Sequence, residues 1–159
     1  MGLDTTHGCW HGAYSAFMRW RTKLAEVAGY PPLMAMEGFF DPKEWWCMPP
    51  GVGKIFYVEG RPPMDGTFSH ALDQVFKGLP IPWSRFESDP LHKLLNHSDC
   101  GGEIAAADCG PIADRLAELL PLLPNADDGG HIGNWKDKTS TFITGLREAA
   151  EAGEPVRFH

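Results

Sequence analysis

Gly8-Cys9-Trp10-His11-Gly12-Ala13-Tyr14-Ser15-Ala16-Phe17-Met18-Arg19-Trp20-Arg21-Thr22-Lys23-Leu24-Ala25-Glu26-Val27-Ala28 is the stretch on which the fold class turns. Trp10, Tyr14, Phe17, Leu24 and Ala28 recur at intervals of three, four and seven, the spacing of one face of a helix. The pattern predicts a helix over residues 8–28 with that face in the core. Arg19, Thr22, Lys23 and Glu26 take much of the other side, and Gly29 with Pro31 and Pro32 supplies the stop. Residues 2–6, just upstream, read as a short extended segment.

Two more helices follow from the same periodicity. One covers residues 109–120, with Asp108 as its cap, Pro111 in the first turn, and Ile112, Leu116, Leu119 and Leu120 inward. The other covers residues 138–152, with Phe142, Ile143, Leu146 and Ala150 inward, and ends at Gly153 and Pro155. Lys54-Ile55-Phe56-Tyr57-Val58 reads as a strand between glycines, and residues 69–77 as a short helix. The apolar run 91–95 suits a strand or a single helical turn equally. Between these elements, Phe39-Phe40, Trp45-Trp46 and Trp83 lie among prolines and glycines, which implies long loops. The expected architecture is α+β: a single compact domain over residues 1–159, with three or more helices packed on a small β-sheet and long aromatic-rich loops.

Composition narrows the function. The chain has 159 residues, 43% apolar and 22% charged, which suits a packed domain rather than a disordered segment. Its formal charge of -7 disfavours general binding to nucleic acid phosphates. No apolar run is long enough to span a membrane, and residues 1–7 lack an export-signal pattern, so a cytoplasmic, non-membrane protein is expected. Cys9, Cys47, Cys100 and Cys109 form no CxxC pair and read as free thiols. Gly51-Val52-Gly53-Lys54 resembles the end of a phosphate-binding loop, but Met48 and Ile55 stand where that motif needs glycine and a hydroxyl.

Three groups of residues could carry chemistry. In Asp4-Thr5-Thr6-His7-Gly8-Cys9-Trp10-His11, two histidines four apart would face one way on a helix and could hold a metal ion; the ordinary alternative is a capped helix start. In His97-Ser98-Asp99-Cys100-Gly101-Gly102-Glu103, a histidine, two carboxylates and a thiol surround a Gly-Gly turn that would let a ligand approach the backbone; the ordinary alternative is a plain turn. Six Trp and nine Phe complete the set. Loop aromatics can stack on a heterocycle while Arg19, Arg21, Arg61 or Lys54 holds phosphate, or they can simply cover the core.

The runs Gly8-Cys9-Trp10-His11 to Arg19-Trp20-Arg21 and Leu94-Leu95-Asn96-His97 to Glu103-Ile104, with the closing residues 137–159, resemble a family of small bacteriophage- and prophage-encoded proteins with no settled activity. That family carries an acidic residue where Gly101 stands here. The resemblance implies a host-cytoplasm setting and a role such as counter-defence, for which sequestering a nucleotide-derived immune signal is a fitting task. The leading expectation is therefore a small, homo-oligomeric binding module for a nucleotide-like ligand, contacted by Trp10, His11, Tyr14, Arg19, Arg21, His97, Asp99 and Glu103. A second expectation is a metal-assisted phosphate-ester hydrolase. It would use a divalent metal as cofactor, held by His7, His11, His97 and Asp99 with Glu103 as base. A third is an inhibitor that docks on a basic protein partner through exposed aromatics.

Overall fold

A computed structural model of the chain describes residues 2–40, 78–126 and 133–159. The expected strand at 54–58, the helix at 69–77, Trp45, Trp46, Cys47 and Arg61 lie outside the described residues. The fold is α+β, and the chain divides into two compact units, one of Met1–Tyr30 with Phe86–His159 and the other of Pro31–Arg85.

The larger unit begins with β1 (Gly2–Asp4) and β2 (His11–Ala13), paired antiparallel with Leu3 opposite Gly12 and Asp4 opposite His11. Helix α1 (Tyr14–Val27) follows directly. The helix therefore starts six residues later than its apolar spacing predicts. His7 and Gly8 both adopt left-handed backbone conformations, and residues 11–13 form ladder hydrogen bonds with β1 in place of helical ones. Thr5 closes the intervening loop: its hydroxyl accepts from the Trp10 amide at 2.7 Å and donates to the Trp10 carbonyl at 3.2 Å. Trp10 still reaches the core, 2% exposed, but through this loop rather than along a helix face.

After residue 86 come α2 (Leu91–Leu95), β3 (Gly102–Ile104), α3 (Ala106–Leu119), α4 (Trp135–Ala152) and β4 (Val156–Phe158). The ambiguous 91–95 run is helical, and its Leu91, Leu94 and Leu95 are fully buried. Asp108 sits inside the first turn of α3 rather than capping it, because the helix begins at Ala106. Helix α4 starts three residues earlier than expected because the Asn134 side chain accepts from the Lys136 and Asp137 amides. Helices α3 and α4 lie against one another, and Ile112, Ala113 and Leu116 of the first and Phe142, Leu146 and Ala149 of the second are fully buried.

The two ends of the chain meet. β4 pairs antiparallel with β3, Thr5 bridges to Phe158, and Asp4 and His159 exchange reciprocal backbone hydrogen bonds of 2.9 and 3.0 Å. Phe158 is thereby fixed against Phe17, which also touches the rings of Trp10, Trp20 and Phe142. The Trp20 indole donates to Thr139 at 2.9 Å, so its polar atom is satisfied inside this aromatic core. Among the described residues no helix is long and apolar enough to cross a membrane.

In the smaller unit, the 3-10 turn Leu33–Ala35 buries Leu33, and Met36 bridges to Ile81 in parallel. Trp83 is buried, donates from its indole to the Glu37 carbonyl at 2.8 Å, and meets Phe39 edge-on. This loop tryptophan covers a core.

Two helix glycines should respond to alanine in opposite ways. A methyl group at Gly145 would lie 2.5 Å from the Cys9 sulfur and 2.6 Å from the His7 carbonyl, because the Thr6–Gly8 turn crosses α4 there. At Gly110, in α3, nothing lies within 4 Å of the added carbon. Gly145→Ala is expected to destabilise by about 1–3 kcal/mol through overpacking, and Gly110→Ala to stabilise by about 0.5–1 kcal/mol through helix propensity. Urea unfolding midpoints of the two variants check the pair.

Candidate functional site

The strongest constellation is built from the chain between α2 and α3. Helix α2 buries its leucines and leaves His92, Lys93 and Asn96 toward the solvent side; the loop then turns back into β3, whose last residue leads at once into α3. His92, Lys93, Asn96, His97, Glu103 and Asp108, with backbone from both Gly101 and Gly102, line an open cleft of about 520 Å³. That size lies within the usual range for small-molecule sites, which runs from about 300 to 1,000 Å³.

His97 forms the floor. Its ring lies on Phe158, 4.0 Å between centroids at 30°, and its Nδ1 donates to the Ser98 carbonyl at 2.6 Å, which fixes the ring orientation. Burial pushes the imidazole below its ordinary value of 6.5, against the opposing pull of the Ser98 and Glu103 backbone groups; Arg21 adds a smaller lowering effect. Gly102, at φ +103°, is needed here because a side chain would be strained on that backbone; its first carbon would touch the His97 ring at 3.4 Å.

The walls carry both charges. Lys93 and Asp108 pair at 2.6 Å, while Glu103 meets Arg157 of β4 at 3.4 Å. Both pairs are substantially exposed, so each holds its side chains loosely, at up to about 1 kcal/mol. Ala105, at the cleft edge, caps α3 without a side-chain hydrogen bond, and the Asp108 amide donates to the Ala105 carbonyl at 2.9 Å.

The other expected site residues lie elsewhere. Trp10 and His11 line a second, separate cleft of about 390 Å³ at the start of α4, together with Asn134 and Lys138. The Lys138 ammonium sits 4.8 Å from the Trp10 ring centroid and donates to the His11 carbonyl at 3.3 Å. Tyr14 is half-buried at the first position of α1, and Arg19 is exposed on a shallow groove of that helix with Lys23 and Glu26. Arg21 is fully buried.

The four expected metal ligands turn to different partners: His7 to Glu154 at 3.2 Å, His11 to Asp4, His97 to Phe158, and Asp99 to Arg21 at 3.8 Å. The late start of α1 explains the histidines, since His7 and His11 are not one helical turn apart. Among the described residues no three His, Cys, Asp or Glu side chains form a group that could hold a metal ion. Cys9 is a poor nucleophile, its thiol pushed up to about 12 by burial and by neighbouring Cys109. Sequence reasoning missed Lys93, Asn96 and Phe158, although the alternation of buried leucines with polar residues in 91–96 is a readable signal.

No protein-family model, curated protein or solved structure matches the chain.

The His97 geometry has a consequence for pH. A histidine with a lowered folded-state value disfavours the proton that the unfolded chain accepts, so its stabilising effect is complete above about 6.5 and falls as pH drops below that value toward the folded-state one. Stability measured by denaturant between pH 7 and pH 5 is expected to decline, and His97→Gln to flatten that decline. An unchanged slope in the variant would remove His97 as its source.

Proposed function

We propose that this chain binds a nucleotide-derived small molecule in the His97 cleft and releases it intact. The observation that carries the reading is the convergence, in one cleft of ligand size, of the Phe158-backed imidazole of His97 with Lys93 and Asn96. In this reading the heterocycle packs on the His97 ring. The phosphate takes Lys93 away from Asp108, a charge-assisted contact that suits an anion. Asn96 and Glu103 supply hydrogen bonds to ribose or base.

Binding is favoured over metal-assisted hydrolysis by the partners already assigned to His7, His11, His97 and Asp99. Each is occupied with a different neighbour rather than directed at a common point. The phage resemblance supports a cytoplasmic setting, in which a small assembly of this chain sequesters a nucleotide-derived immune signal.

Native mass spectrometry of freshly purified protein, followed by calorimetry with AMP, ATP and cyclic dinucleotides, tests the proposal. The expected result is saturable binding of one ligand per chain, weakened at least about tenfold by Lys93→Ala or His97→Ala, the loss of one charge-assisted or stacking contact. Lys138→Ala, in the second cleft, is expected to leave affinity unchanged. Absence of binding across the panel, or turnover of the bound nucleotide, would overturn the reading.

A further inference from the structure

In the run 96–105 every residue lines the cleft except Asp99 and Cys100. Asp99 turns the other way, toward the interior, where Arg21 waits with no exposed surface at all. A buried guanidinium is costly to desolvate, and it persists only where its donors are well used.

Arg21 commits one of its nitrogens to this loop. Nη1 donates to the Leu95 carbonyl at 3.2 Å and to the His97 carbonyl, while Nη2 donates to the Met18 sulfur at 3.4 Å and lies 3.8 Å from the Asp99 carboxylate, at ion-pair distance. The guanidinium also stands 4.7 Å over the Phe17 ring, Phe17 touches Phe158, and Phe158 carries the His97 ring. His97 is thus held from two sides by one cation, through its own carbonyl and through the aromatic stack beneath its imidazole. A lysine would replace this poorly, because its single nitrogen cannot serve the two carbonyls from one position and stand beside the Asp99 carboxylate from a second, as Nη1 and Nη2 do.

We propose that Arg21 and Asp99 are positioning residues of the ligand cleft, which fix the 97–102 loop from behind so that ligand affinity follows the order of that loop. The inference rests on the reading of the cleft as a ligand site, but the loop itself can be measured without ligand. It reassigns two residues that sequence alone would place on the ligand.

The test is hydrogen exchange on the full chain, comparing wild type, Arg21→Lys and Asp99→Asn, together with AMP affinity. Asp99→Asn alters a half-exposed partner and keeps the fold, so it remains informative if the buried substitution unfolds the protein. Exchange across 97–104 is expected to accelerate roughly fivefold in Asp99→Asn and on the order of 100-fold in Arg21→Lys, while the α4 amides exchange as in wild type. The His97 ring resonances should shift in both, and AMP binding should weaken in the same order. Folded variants with wild-type exchange at 97–104, or equal acceleration in α4, would overturn the positioning role, as would a loosened loop with unchanged AMP affinity. If wild type binds no nucleotide, the ligand reading fails, and the exchange pattern still decides whether Arg21 and Asp99 fix the loop.

Discussion

The ring of Phe17 is the point on which the larger unit closes. It is fully buried, and it touches Trp10 from the N-terminal loop, Trp20 from its own helix, Phe142 from α4, Phe158 from β4 and the guanidinium of Arg21. These contacts come from segments more than 100 residues apart, so no local propensity can assemble them. What gathers them is burial: each large aromatic taken from water contributes about 1.5–3 kcal/mol, and edge or offset ring pairs add up to about 1.5 kcal/mol. The strands are then consequences. Three-residue strands are too short to persist alone, and the bridge and two hydrogen bonds that join the chain ends at Asp4, Thr5, Phe158 and His159 are reinforced by the contact of Phe158 with Phe17.

That dependence explains which parts of the fold were legible in the sequence. The helices were readable because a buried stripe imposes a period on the chain whatever its partner is. Phe17 and Leu24, Ile112 and Leu116, and Phe142 and Leu146 all face the core as their spacing requires. Helix starts were less readable, since spacing does not distinguish a residue on the helix face from one that reaches the same core by a loop. Trp10 has helical spacing from Phe17 yet arrives through a turn locked by Thr5. β4 was invisible for a different reason: Val156-Arg157-Phe158 alternates correctly, but three residues of alternation occur by chance throughout any sequence. Its significance lies in partners at residues 5 and 102–104.

The candidate site shows the same division. The polar cluster of residues 97–103 was visible as a concentration of His, Asp, Cys and Glu around Gly101-Gly102, and His97 and Glu103 do line a cleft. The assignment of roles within it was not visible. Asp99 and Glu103 are chemically near-equivalent carboxylates four residues apart, yet one faces a buried arginine and the other an exposed one. Only the direction of the chain through the turn separates them, and that direction is set by Arg21, 76 residues before His97 in sequence.

Arg21 also explains why a small cleft can be both open and well defined. A loop rich in glycine has many backbone conformations, and its freedom would cost about 1–2 kcal/mol per residue to suppress on binding. Anchoring the loop in the folded state moves that cost from the binding step to the folding step, where the aromatic core already compensates for it. A cation is suited to the task because one guanidinium donates to two carbonyls and sets its charge beside a carboxylate. Its burial confines those bonds to a low-dielectric setting where they are stronger than in water. The same burial removes Arg21 from any ligand. The loop's polar groups therefore separate into those that hold the backbone from inside and those, His97 foremost, that present chemistry to the cleft.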